Sequence, residues 1–310
     1  MDNVMSPYKL DEAGGIYFTR QLEYIKSRAI EEKLVPLTYA QFIPVSGEMP
    51  LGATQFTFRT YKGYGLARMI SDYAKDFPRV EIGATETTIT AKDLGASYGY
   101  TISEIRRAQY AGVDLEARKA SAVRRAIEQK INDIAWKGDS DYGLQGLIGY
   151  PGITEVTIPN TGTGTSKAWS TKTADQIIID LNLIKNGVYI TTNGIEIIDT
   201  ILIPHAQMDL IKNTRMGSNT DTTVYEFFVR NNPGITLVGL REMDSAYNGL
   251  GSDSIFGYKR DSEHLEFQLP LAFEQFDAQQ DGLEFKIPCM ARVAGVVVYY
   301  PLAVAFGTGI

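Results

Sequence analysis

The chain has 310 residues and a net charge of −7, from 30 Lys and Arg against 37 Asp and Glu. Its one cysteine, Cys289, excludes an internal disulfide, and with only His205 and His264 beside it the usual four ligands of a structural zinc site are missing. The acidic balance argues against a protein built to grip nucleic acid over a wide surface, while 44% hydrophobic and 22% charged residues describe a folded chain. Tyrosine is abundant, 18 against 13 Phe. It suits surfaces that are buried against a partner yet polar at their edge.

Residues 1–12 read as an irregular arm without the basic and apolar regions of a secretory signal. From Gly15 to Leu34, Phe18, Leu22, Ile25 and Ala29 recur at helical spacing. Pro36, Pro44 and Pro50 keep the next stretch extended. Phe56 and Phe58 then alternate with Gln55, Thr57 and Arg59 as in a strand, and Thr85–Thr90 is a second β-prone run. The glycine-containing, charged stretch between them makes the pair a long hairpin or extended loop. A two-stranded hairpin is marginal alone, so something must cover it. An arm of about 15 residues would reach about 50 Å.

The next element is a helix over Leu115–Lys137, with Asp114 as N-cap and Gly138 closing it. Ala120, Val123, Ile127, Ile131 and Ile134 form its apolar stripe. Its length would be roughly 34 Å. From Ser103 to Lys137 there are eight Lys/Arg against five Asp/Glu, a local +3 in an acidic chain. This excess fits either a nucleic-acid face or a solvated helix with i,i+4 ion pairs.

A glycine-rich turn region comes next, then the loop 160–166 and a helix over Thr173–Lys185. Ile197–Ile203 reads as a buried strand, His205–Lys212 and Val224–Arg230 as helices. Strands are expected at Thr236–Leu240, Ser254–Tyr258, Glu266–Leu269, Leu283–Ile287 and Met290–Tyr300. The uncharged stretch Val293–Ile310 holds Gly295 and Pro301 and reads as buried strands, not a membrane span. The class is α+β, without regular βαβ alternation.

No catalytic pattern stands out. Phosphate-loop and zinc-protease motifs are absent, and Gly162-Thr163-Gly164 reads as a surface loop. His205 reads as a structural, helix-capping residue, His264 in RDSEHLE as solvated, and Cys289 as a buried small hydrophobe. Asp139, Asp141 and Asp221 have no spacing diagnostic of acid chemistry or metal binding. No cofactor is expected.

The order of elements is informative: arm, long loop, long basic helix, α+β centre and β-rich return. It resembles the major capsid proteins of tailed double-stranded DNA bacteriophages, which have the Hong Kong 97 fold. The segments that carry the resemblance are SDYAKDFPRVEIG (71–83), GASYGYTISEIRRAQYAGVDLEARKASAVRRAIEQKINDIAWKGD (95–139), YGLQGLIGYPGI (142–153), TVYEFFVRNNPGI (223–235) and GLEFKIPCMARVAGVVVYYPLAVAFGTGI (282–310).

The resemblance implies an N-terminal arm at 1–45 and an extended loop (E-loop) at 46–95. It places a P-domain with the spine helix at 96–189, an A-domain at 190–280, and C-terminal strands returning to the P-domain at 281–310. The implied protein is not an enzyme. It forms hexamers and pentamers of an icosahedral virion shell around packaged DNA, assembled in the host bacterial cytoplasm. Its partners would be itself, DNA by weak non-specific contact, and portal, scaffolding or decoration proteins; no membrane is involved. Phe18, Tyr24, Arg59, Tyr61, Lys62, Tyr64, Arg68, Tyr73 and Lys75 would meet neighbouring subunits. Arg118, Lys119, Arg124 and Arg125 would face the interior.

The arm begins at once, so a scaffold would be a separate protein or unnecessary. Lys62 and Lys75 lie in the loop without a recognisable Asn and Glu for an isopeptide link. Encapsulin nanocompartments share the fold and are similar around INDIAWKGDSDYGLQGL. A cytosolic enzyme using carboxylates such as Asp139 and Asp221 is the alternative from another class.

Overall fold

The computed structural model describes residues 35–69, 77–112 and 115–310. The helix expected at 15–34 therefore lies outside the described residues, as do Phe18, Tyr24, Tyr73 and Lys75. The chain divides into two compact units, residues 1–36 and 37–310.

The second unit opens with α1 (Tyr39–Phe42) and β1 (Val45–Ser46). Then come β2 (Gln55–Tyr64), β3 (Glu81–Thr90), β4 (Lys92–Thr101), α2 (Ile102–Ala111) and α3 (Leu115–Lys137). Its middle holds β5 (Gly138–Asp139), β6 (Leu144–Gln145), β7 (Thr154–Glu155), α4 (Ala174–Thr191), β8 (Thr200–Ile203), α5 (His205–Asn213), α6 (Val224–Asn231) and β9 (Thr236–Gly239). It closes with β10 (Ser254–Tyr258), β11 (Leu265–Gln268), β12 (Leu271–Gln275), β13 (Gln279–Asp281), β14 (Glu284–Val293), β15 (Gly295–Val298) and β16 (Ala305–Thr308).

Local chemistry starts the helices. Thr101 with Glu104, Thr173 with Gln176 and Thr223 with Glu226 form reciprocal capping boxes at α2, α4 and α6. Each satisfies two N–H groups that the first turn would leave unpaired. Past the end of α3 two glycine backbones abut. Gly138 has φ 75°, and a Cβ on Gly146 would lie 2.2 Å from the Gly138 nitrogen.

Two apolar cores form. In the first, Ile127, Ile131, Ile134 and Trp136 of α3 pack with β4, β11, β14 and β15 through Tyr98, Phe267, Ile287, Val293 and Val296. Here β14 pairs with β4 along its whole length, from Glu284↔Thr101 to Val293↔Lys92. In the second, Ile177, Leu181, Ile184 and Val188 of α4 pack with Ile201, Ile255, Met208, Phe228 and Ala305. A five-stranded sheet of order β7-β16-β10-β8-β9 lies between the two cores, giving Ile201, Ile255 and Ala305 to the second and Leu202, Phe256 and Phe306 to the first.

Several expectations change. Strand β4 and helix α2 join the elements read from the sequence, and α4 runs on to Thr191. The strand broken near Pro288 is continuous in β14. Its neighbour on one side is interrupted between β12 and β13, so the missing N–H of Pro288 leaves no ladder bond unmade there. Helix α4, expected with the spine helix, packs in the second core. Strand β16 pairs with β10 and β7, and it contributes Phe306 to the first core and Ala305 to the second. His264 is 5% exposed, not solvated. Its turn folds inward through its N–H to the Asp261 carbonyl, and its ring packs 5.5 Å from Tyr300.

The second core carries a buried ion pair. Lys172 Nζ lies 2.7 Å from Asp180 Oδ2 and donates to the Pro159 carbonyl at 2.8 Å. Trp169 Nε1 donates to the same carboxylate oxygen at 2.9 Å. Burial raises the Asp180 carboxyl above its ordinary range in spite of these donors.

Gly146→Ala should cost about 1–3 kcal/mol, since the new methyl meets backbone that cannot turn away; urea unfolding of the full chain reads it. Lys172→Met should cost about 3–5 kcal/mol by stranding the Asp180 charge. The folded state holds the Asp180 proton more tightly than the unfolded state, so acidification should return part of that loss. An equal loss at about pH 7 and about pH 5 would exclude a stranded charge as the cause.

Candidate intersubunit surfaces

The hairpin β2–β3 pairs over its full length, from Gln55↔Thr90 to Tyr64↔Glu81. It is a two-stranded sheet, so each strand keeps an unpaired edge. Ala91 N–H donates to the Thr54 carbonyl and closes its base. Across the ladder Thr57 and Thr88 hydroxyls meet at 2.8 Å, and Arg59 Nε donates to Glu86 at 2.7 Å. Both Arg59 and Glu86 are exposed, so this pair contributes about 0–1 kcal/mol.

Toward the tip the side chains stand in solvent. Leu66 is 84% exposed and Phe77 62%, and Tyr61, Tyr64, Met69, Val80 and Ile82 are exposed as well. The base is held differently: the Phe58 ring meets Tyr299 edge-on at 5.0 Å. Of the residues named from the sequence, Arg59 is paired across the hairpin, and Tyr61, Lys62, Tyr64 and Arg68 stand exposed on it. Sequence reasoning missed Leu66, Met69, Phe77, Val80 and Ile82. Their signal was apolar residues in a stretch without strand or helix period, where no core could claim them.

The four basic residues of α3 do not form one free row. Arg118 is exposed. Lys119 Nζ donates to the Gly99 carbonyl at 2.7 Å and lies 3.4 Å from Glu104, tying α3 to β4 and α2. The Thr101 N–H and the same lysine hold the Glu104 carboxyl below its usual range. Arg124 pairs with Glu128 at 3.0 Å and lies over the Phe273 ring. Arg125 is half-buried.

The acids do not converge. Asp139 takes a hydrogen bond from Lys130 at 2.8 Å, which holds its carboxyl below the ordinary range. It borders a cavity of about 460 Å³ between β4 and α3, which Asp221 does not line. Asp221 is exposed, 3.4 Å from Arg215. Cys289 is buried, and burial raises its thiol. Among the described residues no group of three or more His, Cys, Asp or Glu is placed to hold a metal, and no helix is long and apolar enough to cross a membrane.

The major capsid protein family matches residues 65–310. No curated protein sequence is significantly similar to the chain. Among solved structures, the capsid of Myoviridae phage XM1 superposes with a TM-score of 0.82 at 19% identity, covering 96% of this chain and 100% of that one. Mycobacterium phage Bobi gives a TM-score of 0.62 at 14% identity, over 92% of this chain and 94% of that one. The capsid of an empty GTA particle gives 0.66 at 12% identity, over 97% and 99%. These likenesses show the fold, and the family match covers most of the chain. The chain therefore belongs to the major capsid protein family: it is a structural, self-assembling shell subunit with the Hong Kong 97-like fold.

Proposed function

We propose that the chain assembles as hexamers and pentamers into the icosahedral shell of a tailed bacteriophage, enclosing its double-stranded DNA. The observation that carries this is the hairpin β2–β3, which presents an apolar tip and two edges that no strand among the described residues pairs. An isolated two-stranded ribbon of this kind becomes stable and useful when a neighbour buries it. Tyr61, Lys62, Tyr64 and Arg68, joined by Leu66, Met69 and Phe77, are the residues that meet that neighbour. Residues 1–36 of the arm, with Phe18 and Tyr24, and Tyr73 and Lys75 of the loop are assigned the same role on the resemblance alone, whereas residues 37–45 pack on their own body, with Ile43 fully buried and β1 paired to β11.

The two cores support a division of labour. We assign α3, β4 and β11–β15 to the P-domain. We assign β7–β10, α4–α6 and β16 to the A-domain, which moves α4 and the last strand out of the P-domain. Of the four basic residues named on α3, Arg118 is the one best placed for weak contact with packaged DNA, because Lys119 and Arg124 are engaged within the chain and Arg125 is half-buried. Portal, scaffolding or decoration proteins complete the particle, assembled in the bacterial cytoplasm. A nanocompartment would share the fold but hold cargo protein. DNA in the purified shells separates the two.

Deleting residues 62–75 should leave the body folded by circular dichroism and abolish shells under the electron microscope. Shells of normal size from that variant would sink the hairpin as an assembly arm. Tyr64→Asp with Leu66→Asp should likewise block assembly in sedimentation velocity, while the unfolding free energy of the isolated subunit moves by no more than about 0.5 kcal/mol per site.

A further inference from the structure

The hairpin neck does not lie flat on the body. A cavity of about 430 Å³ opens on one side, between Tyr61 and the segment after α4 that carries Ile195. Another of about 280 Å³ opens between Thr85, Thr87 and the turn at Tyr150–Pro151. Tyr299 borders both cavities. Its ring is the aromatic surface that Phe58 meets at 5.0 Å.

Tyr299 is itself held from behind. Its N–H donates to the His264 carbonyl at 2.9 Å. Its hydroxyl donates to Glu266 Oε1, and the Gln268 side-chain amide donates to the same oxygen at 2.6 Å. Glu266 and Gln268 are both buried. Burial and the adjacent carboxylate push the Tyr299 hydroxyl well above its ordinary range, so it remains a donor. A carboxylate kept under the neck, with neutral donors aimed at one oxygen, is a costly way to fill space. It is an effective way to fix the plane of one ring.

We propose that Tyr299, aimed by the buried Glu266, is the positioning residue about which the hairpin pivots. The ring contact with Phe58 defines one docked setting, and the two cavities leave room for the neck to swing as a neighbour packs on the tip. The consequence for assembly rests on the reading of the hairpin as an intersubunit arm; the pivot itself does not.

The test uses the full chain below its assembly concentration, with spin labels on Tyr64→Cys at the tip and Asp133→Cys on α3, both exposed. Pulsed electron resonance then reads the tip-to-body distance distribution. Tyr299→Phe keeps the ring and removes the hydroxyl. It should raise the undocked fraction by about 2- to 10-fold, the range expected for loss of the one hydrogen bond that fixes the ring. Glu266→Gln retains an acceptor oxygen and should leave the distribution as in the parent. Phe58→Ala should broaden it as Tyr299→Phe does, and the two together should add little. An unchanged distribution in Tyr299→Phe overturns the proposal. If that variant fails to fold, an unchanged distribution in Phe58→Ala does so. Broadened distributions with normal shells would uphold the pivot and show that assembly does not need the docked setting.

Discussion

The ladder between β4 and β14 is the constraint on which the rest depends. Asp93 and Arg292, paired across it, are 199 positions apart, and the Arg292 side chain reaches both Asp93 and the Leu51 carbonyl. The ladder therefore joins the root of the hairpin, the floor under α3 and the C-terminal part of the chain in one register. A one-residue slip would turn Tyr98, Ile287 and Val293 away from α3. Such distant pairing costs loop-closure entropy before it stabilises anything, which favours slow folding but a well-defined root for whatever projects from it.

What projects is the hairpin, and its energetics are the reverse of the body's. The body buries α3 and α4 stripes in two cores and supports its buried ion pair with two further hydrogen bonds. The hairpin exposes its apolar tip and holds itself by a backbone ladder and exposed side-chain pairs of small worth. A shell subunit needs this asymmetry. Strong internal packing keeps each copy one shape, and surface left uncovered in the monomer is buried only on assembly.

Much of the architecture was legible in local chemistry. The stripe from Ala120 to Ile134 marks α3, with Gly138 at its end, and alternation at Phe56 and Phe58 marks β2. Ser254–Tyr258 reads correctly to both boundaries because every residue in it is buried. Other features were not legible, each for a physical reason. Strand β4 has glycines at 95 and 99 and weak β-propensity, and β14 alone makes it a strand. Pro288 suggests a break that the gap between β12 and β13 makes harmless. His264 sits among charges in sequence but under Tyr300 in space.

The sequence by itself determined that α3 to α6 are helical, that the class is α+β, and that β2 and β3 form a long hairpin, because these depend on periodicity, capping and composition over neighbouring residues. Tertiary structure decided which core each segment joins. It seats α4 and β16 together, engages Lys119 and Arg124 within the chain, and sets Tyr299 between Phe58 and Glu266. Those outcomes depend on side chains far apart in the chain competing for the same buried volume and the same donors, which no local pattern records.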